Sequence, residues 1–326
     1  MFTRRSTLTG LGAAALTGLL APRARAALPL KVGALVPEAS IWGRALKAWA
    51  ADLGRRTRGA LQPTLSFHAD ARGEPSLAAR VRRGDLQGGL CSAAGLGALH
   101  AHALQMPGVF SGWPRVDAAR EALKAELRAE LEAGGLVMGG RFDLGELRLF
   151  SRAPVRLPAD LTSARTLTVE GESVAAALLT EIGAPASTTP LIDVSTALST
   201  GRLDAFIATA AFAEAVKWTV HMNALLDVNL GYAASGLVFH AGFVGGLAPE
   251  LRAALLDSAA AAGAAGQAKA RSEDAAARAR LGARLAVAAP TADEGAAWAS
   301  AFAAARARMG AGPFTPELVA RVEALG

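Results

Sequence analysis

Cysteine occurs once in these 326 residues, at Cys91, and tyrosine once, at Tyr232. A lone cysteine excludes an intrachain disulfide, so the fold rests on an apolar core, which a chain of this length is able to build. Cys91 lies in an apolar strand pattern far from the N-terminus, which excludes lipid attachment through it and reads as a buried, inert thiol. Aromatic residues amount to only 5%, with no interleaving of basic and aromatic side chains on which bases would stack. That pattern argues against nucleic-acid binding. Charged residues are also few, 19% against 52% hydrophobic, which excludes a disordered chain. Catalytic signatures are missing too. No Gly-x-Ser-x-Gly elbow surrounds a nucleophile. His100 and His102 have no further metal ligands nearby, and Gly95-x-Gly97 lacks the third glycine of a dinucleotide loop. No cofactor is expected.

The net charge of +6 is concentrated at the start of the chain. Arg4, Arg5, Arg23 and Arg25 fall within residues 1–26, which hold no acidic residue, and the remainder is nearly balanced. A basic opening, an apolar stretch from Leu8 to Ala21 and a small-x-small site at Ala24-Arg25-Ala26 form an export signal, expected to be cleaved after Ala26. The pair Arg4-Arg5 within TRRSTLT resembles a twin-arginine signal, with Thr7 where phenylalanine is usual. The apolar stretch, about 14 residues, falls short of the ~20 needed to span a bilayer.

The chain is organised around Asp160 to Ala210. A β-prone run, Thr166 to Val169, is broken by Glu170-Gly171 and followed by a helical spacing of Val174, Leu178, Leu179 and Ile182. Asp193 or Ser195 is placed to cap a second helix, Gly201 to close it in the left-handed position, and Leu203 to Ala208 to form the next strand. Strand, helix, helix, strand is the grammar of a parallel sheet, whose ligands sit beyond the carboxyl ends of the strands. An echo occurs earlier: RGDLQGGLCSA (83–93) aligns with TGRLDAFIATA (200–210), matching Gly84 with Gly201 and Ser92 with Thr209. If the two units are facing lobes, Ser92 and Thr209 stand at strand ends on one cleft.

Elsewhere the spacing predicts strands at Leu28 to Val36, Leu61 to Phe67 and Gly89 to Ala94, with helices after Ser40 and over residues 77–83. Residues 95–112 read as an irregular connection and Asp117 to Ala133 as one charged helix. A long strand, Leu136 to Arg152, breaks at Asp143-Leu144-Gly145 and is long enough to pass between lobes. A helix to about Trp218, strands at Ala224 to Leu230 and Gly236 to Val244, and an alanine-rich helix from Pro249 to Gly282 follow. A short strand, Leu285 to Ala288, and two helices finish the chain.

Three segments, KVGALVPEASIWGRALKAWAADLGRRTRG, APVRLPADLTSARTLTVEG and above all DVSTALSTGRLDAFIAT, resemble the solute-binding proteins of TRAP (tripartite ATP-independent periplasmic) transporters, DctP-like in kind, and the order agrees over nearly the whole mature chain. The resemblance implies an α/β fold of two lobes, like a type II periplasmic binding protein, each a mostly parallel sheet flanked by helices. The expected division is 27–147 with 236–250 for lobe I, 152–235 with 285–326 for lobe II, and 250–282 as a bridging helix. It further implies a non-enzymatic periplasmic protein that delivers a small-molecule ligand to TRAP permease membrane subunits. The competing reading is an exported α/β enzyme acting on an acyl or sugar substrate, which needs a nucleophile with a histidine in reach.

This chain departs from the family's pattern at the ligand. The family usually has Lys-Ile-Arg-Val, whose arginine pairs with a substrate carboxylate; the matching run is Thr166-Leu167-Thr168-Val169, so Thr168 replaces it. Where Glu-Asn is common after the Gly-x-x-Asp turn, Ile207-Ala208 stands. A second basic position aligns with Leu147, and Arg148 beside it points the other way on a strand. Loss of these directional guanidinium contacts predicts a rather apolar or monocarboxylate ligand. Candidate ligand contacts are Glu38 and Trp42 at the start of the first helix, Ser92, Thr168, Glu170 and Thr209 at strand ends, and the aromatic residues Phe142, Phe212, Trp218 and Tyr232. Glu38 also suits a role complementing the helix dipole, and the aromatic residues suit a core. Arg148 is the candidate anion partner, against a salt bridge to Glu146 or Asp143.

Overall fold

The computed structural model describes residues 27–67, 73–312 and 314–326; the expected export signal and its cleavage site lie outside the described residues. The first half alternates β1 (Leu28–Ala34), α1 (Ile41–Arg56), β2 (Leu61–Phe67), α2 (Glu74–Arg82) and β3 (Gly88–Ser92). β1 runs parallel to both β2 and β3. Helix α1 starts where the Ser40 hydroxyl accepts the Gly43 N–H at 3.2 Å, and it ends with Arg55 and Arg56 facing the negative end of the helix dipole. Its stripe of Trp42, Leu46, Trp49 and Leu53 is fully buried. Burial of such a side chain contributes about 1.5–3 kcal/mol.

One strand, β4 (Leu136–Ser151), belongs to two sheets. Leu136 to Glu146 pair antiparallel with β9 (Tyr232–His240), which also pairs antiparallel with β3. Leu147 to Ser151 pair instead with β7 (Ala205–Thr209), and their last residues with β8 (Ala224–Leu226). The register shifts between Met138 and Gly140 and again between Asp143 and Gly145, so the expected break is a bulge inside a continuous strand. The second sheet continues through β5 (Thr166–Thr168), parallel to β7, to β6 (Ala186–Thr188). Residues 232–235, assigned above to the second lobe, therefore pair within the first sheet.

Helix α11 (Pro249–Gly282) has 34 residues and is roughly 51 Å long. It packs on β4, on α1 and on α9 (Ala210–Ala215). Small side chains allow this: a Cβ on Gly140 of β4 would fall 2.2 Å from the Ala259 carbonyl oxygen. Asp274 of α11 accepts the N–H of Glu146 at 2.9 Å and of Ala211 at 3.0 Å, tying the helix to the point where β4 changes sheets. Asp143 is paired with Arg120 at 2.5 Å and with Arg271 of α11 at 2.6 Å, with the Arg271 guanidinium 4.2 Å from the centre of the Trp113 ring.

Several local expectations are corrected. Residues 95–112 are not irregular throughout: α3 (Ala93–Leu96) and α4 (Leu99–Ala103) form there, buried by tertiary packing. The single charged helix is two, α5 (Trp113–Ala122) and α6 (Lys124–Ala133), separated at Leu123. Strand β6 was not anticipated. α7 (Ser173–Ile182) forms as read, closed by Gly183, whereas α8 (Val194–Ser199) grows from a 3-10 turn at Leu191–Asp193 without a side-chain cap. Helix α9 stops at Ala215, and Lys217 takes a left-handed φ of 61° before a separate turn at Trp218–His221. The next two strands are shorter or shifted, and Ala241–Gly246 becomes helix α10. The chain ends with β10 (Ala286–Ala288), α12 (Ala292–Gly310) and α13 (Pro316–Ala324).

Candidate ligand-binding site

Strand ends from both sheets meet around a cavity of about 370 Å³. Leu35 and Val36 follow β1; Leu90 and Ser92 close β3; Leu167, Thr168 and Val169 close β5; Ile207, Ala208 and Thr209 close β7. Leu144 and Leu147 from β4 and Ala233 and Ser235 from β9 complete the wall where the sheets join. The sequence echo has a structural counterpart. Gly84 and Gly201 both take left-handed φ, 79° and 71°, before their strands. Ser92 and Thr209 end those strands, stand at the N-caps of α3 and α9, and both line the cavity.

Of the residues singled out from sequence, the cavity lining brings together Ser92, Thr168, Glu170, Thr209, Phe212 and Trp218. The Phe212 and Trp218 rings meet edge to face at 5.6 Å. Trp42 stands behind Phe212, its ring centre 6.5 Å away, and its indole N–H donates to the Asp143 carbonyl at 2.9 Å; it is a core residue. Glu38 is exposed and pairs with Lys47 at 3.2 Å. Phe142 is buried in the core of the first sheet. Tyr232 packs edge to face on Trp113, 4.9 Å between ring centres, in a separate cluster with the C-terminal helices. Arg148 is buried, ion-paired with Glu146 and 3.6 Å from Asp227. Leu147, its neighbour, faces the cavity, as strand alternation requires.

Thr168, at the family's arginine position, shares a hydrogen bond with Thr188 across a 3.1 Å hydroxyl pair. Arg165 nearby forms a fork with Asp204. Among the described residues lining the cavity, the ionisable groups are Glu74, Glu170 and Glu172, with no lysine or arginine.

Sequence reasoning missed Glu74 and Glu172. Glu74 sits in the first turn of α2 and accepts the Ser92 N–H at 2.7 Å. Burial pushes its carboxyl up to about 7; Ser92 opposes the shift and the Glu172 charge adds to it. Glu172, at the N-cap of α7, is also raised to about 7 by burial, opposed by the N–H groups of Val174 and Ala175 and by Gln105. Behind it, His102 Nδ1 lies 3.2 Å from Gln105 Oε1 and 3.8 Å from the Glu172 carboxylate. Burial lowers the His102 pKa, which favours the neutral imidazole. The signal for Glu172 was its place beside Glu170-Gly171, and for Glu74 its place just inside a helix start.

Gly171 explains how the walls come together. Its φ is +86°, and a Cβ there would lie 2.6 Å from the Ala94 carbonyl oxygen of α3 and 3.1 Å from Pro75 of α2. The turn carrying Glu170 and Glu172 thus rests directly on the first half of the chain.

Two α/β sheets sharing one strand, with a cleft at their strand ends, have the architecture of a two-lobe binding protein. A sequence profile of the family described as bacterial extracellular solute-binding protein, family 7 (DctP) matches residues 32–311, and this chain belongs to that family of receptors, which are not enzymes. No curated protein matches the chain. DctP7 of Bordetella pertussis, an extracytoplasmic solute receptor binding pyroglutamic acid, is 20% identical, with a TM-score of 0.82 over 91% of this chain and 100% of that one. A TRAP periplasmic solute binding protein of Ralstonia eutropha H16 with bound (S)-2-acetolactate is 18% identical, TM-score 0.83, covering 91% and 98%. Another, from Sulfurospirillum deleyianum DSM 6946 with bound succinate, is 18% identical, TM-score 0.83, covering 91% and 99%. At these identities the likeness is one of fold.

Proposed function

We propose that this chain is the periplasmic receptor of a TRAP-type transporter, capturing a small and mainly apolar organic molecule between its lobes for delivery to a membrane permease. The observation carrying this reading is the cavity wall itself: Thr168 and Leu147 stand where the family pattern places basic residues, and Arg148 is held away by Glu146. Around them most of the exposed wall is apolar, from leucine, isoleucine, valine, phenylalanine and tryptophan side chains, with hydroxyl, amide and carboxyl groups between. A cavity near 370 Å³ falls in the range of small-molecule sites, about 300–1,000 Å³. The acidic lining favours the apolar member of the expected pair over a monocarboxylate.

The same proposal includes export with cleavage after Ala26 and a division into lobes at 27–147 with 236–250 and 152–235 with 285–326. The change of sheet partners in β4 at Leu147 supports the first boundary; the pairing of β9 supports moving the other to about residue 231. α11 links the lobes, and ligand binding shifts an open–closed equilibrium. The test is a thermal-shift screen of the mature protein. Stabilisation by apolar alcohols or other apolar metabolites is expected; stabilisation by C4-dicarboxylates alone would overturn the reading.

A further inference from the structure

We infer that the polar end of the ligand is a protonated amine, seated between Glu74 and Glu172, with its hydrocarbon part in the apolar remainder of the cavity. The inference rests on the receptor reading above and names the ligand class within it.

Three observations point the same way. The cavity is a cleft between the two sheets with a mainly apolar wall, so a charge held against it is screened less than in bulk water. The only ionisable side chains lining it among the described residues are carboxyls, which repel an anionic head and attract a cation. And the two sheltered carboxyls come from opposite walls: Glu74 from α2 in the first half, Glu172 from the start of α7 in the second. Closing the cleft brings like charges together at a desolvation cost, which a cation between them offsets.

An ammonium is suited to this place. It carries three N–H donors and no acceptor, and carboxylates are acceptors. Ser92 occupies part of the Glu74 acceptor capacity, through its N–H to Oε2 and through its hydroxyl, and a carboxylate has further lone pairs to offer. Gln105 sits behind Glu172, with its Oε1 3.2 Å from His102 Nδ1, so the Gln105 amide NH2 is the end left for the carboxylate. On that wall the Thr168 and Thr188 hydroxyls are bonded to each other, and the charged group that follows them, Glu170, is exposed and again a carboxyl. One charged end and a long apolar body is the shape of chemistry that results: a primary alkylamine or arylalkylamine.

The test uses mature protein and probes sharing one skeleton: hexylamine, 1-hexanol and hexanoate, with phenethylamine, 2-phenylethanol and phenylacetate as a second set. Isothermal titration at pH 7.5 is expected to show the amine binding at least about tenfold tighter than the alcohol, as charge-assisted hydrogen bonds exceed neutral ones, and the carboxylate binding weakest. In Glu74→Gln and Glu172→Gln the amine-over-alcohol preference is expected to fall towards one. Alcohol binding equal to or tighter than amine in the wild type would overturn the inference while leaving the apolar receptor intact. Tightest binding of the carboxylate, or no binding in either set, would also overturn it. Stabilisation by succinate alone would bring down both. The wild-type ratio decides even if a variant fails to fold.

Discussion

At the scale of one residue, the proposed ligand preference turns on Thr168. Where the family pattern calls for a guanidinium, this chain keeps a hydroxyl bonded to Thr188. Thr168→Arg puts a cation against three carboxyls and an apolar wall, and the variant is expected to gain thermal stabilisation by monocarboxylates that the parent does not show. Asp143 acts on stability rather than on ligand. Its side chain is 1% exposed and faces two guanidiniums, Arg120 at 2.5 Å and Arg271 at 2.6 Å. Removing one partner of such a buried set costs about 3–5 kcal/mol. Asp143→Ala is therefore expected to lower the unfolding free energy from urea titration by that amount, with ligand affinity of the folded fraction little changed.

At the scale of elements, α2 and α7 each carry one carboxyl whose ionisation opposes folding. The unfolded groups titrate near 4.5 and the folded ones near 7. The folded state then holds more protons than the unfolded one between those values, so stability is full below about pH 4.5 and falls as pH rises through 7. The groups facing them are each other, Ser92, Gln105 and His102, whose pKa burial lowers. Asp274 of α11, raised to about 6, adds in the same direction at lower pH. The melting temperature of the ligand-free protein is expected to drop between pH 5 and pH 8, with a smaller drop in the Glu74→Gln/Glu172→Gln double variant. The long elements were legible because their patterns are local: α11 was read from Pro249 to Gly282 and forms over those residues. The short ones were not. α3, α4 and β6 have three to five residues each, too few for a period to show, and they exist because their neighbours bury or pair them.

At the scale of the molecule, the contact between the two halves runs through a turn without a side chain. Gly171 lets the Glu170–Glu172 turn lie on Ala94 and Pro75. Gly171→Val forces both a strained φ and a clash with the Ala94 carbonyl. Ligand affinity is expected to fall by tenfold or more, about 1.4 kcal/mol, with the solution radius of the liganded protein remaining that of the ligand-free form in small-angle scattering. Six of the eleven residues singled out from sequence line the cavity, some of them for a topological reason. Strand ends face the cleft in sheets of this kind, so Ser92, Thr168 and Thr209 could be placed by counting along strands. Glu38, Trp42, Phe142, Arg148 and Tyr232 sit near those ends in sequence, but their side chains turn to solvent, to the core or to an ion pair.

By itself the sequence determined the family, the order of the long strands and helices, and the paired Ser92 and Thr209. These follow from spacing and residue type along a single segment. Only the tertiary structure decided that β4 serves two sheets and that Glu74 and Glu172, 98 positions apart in numbering, share one sheltered space. A carboxyl's charge preference depends on the water and charges around it, and those are supplied by segments far away in the chain.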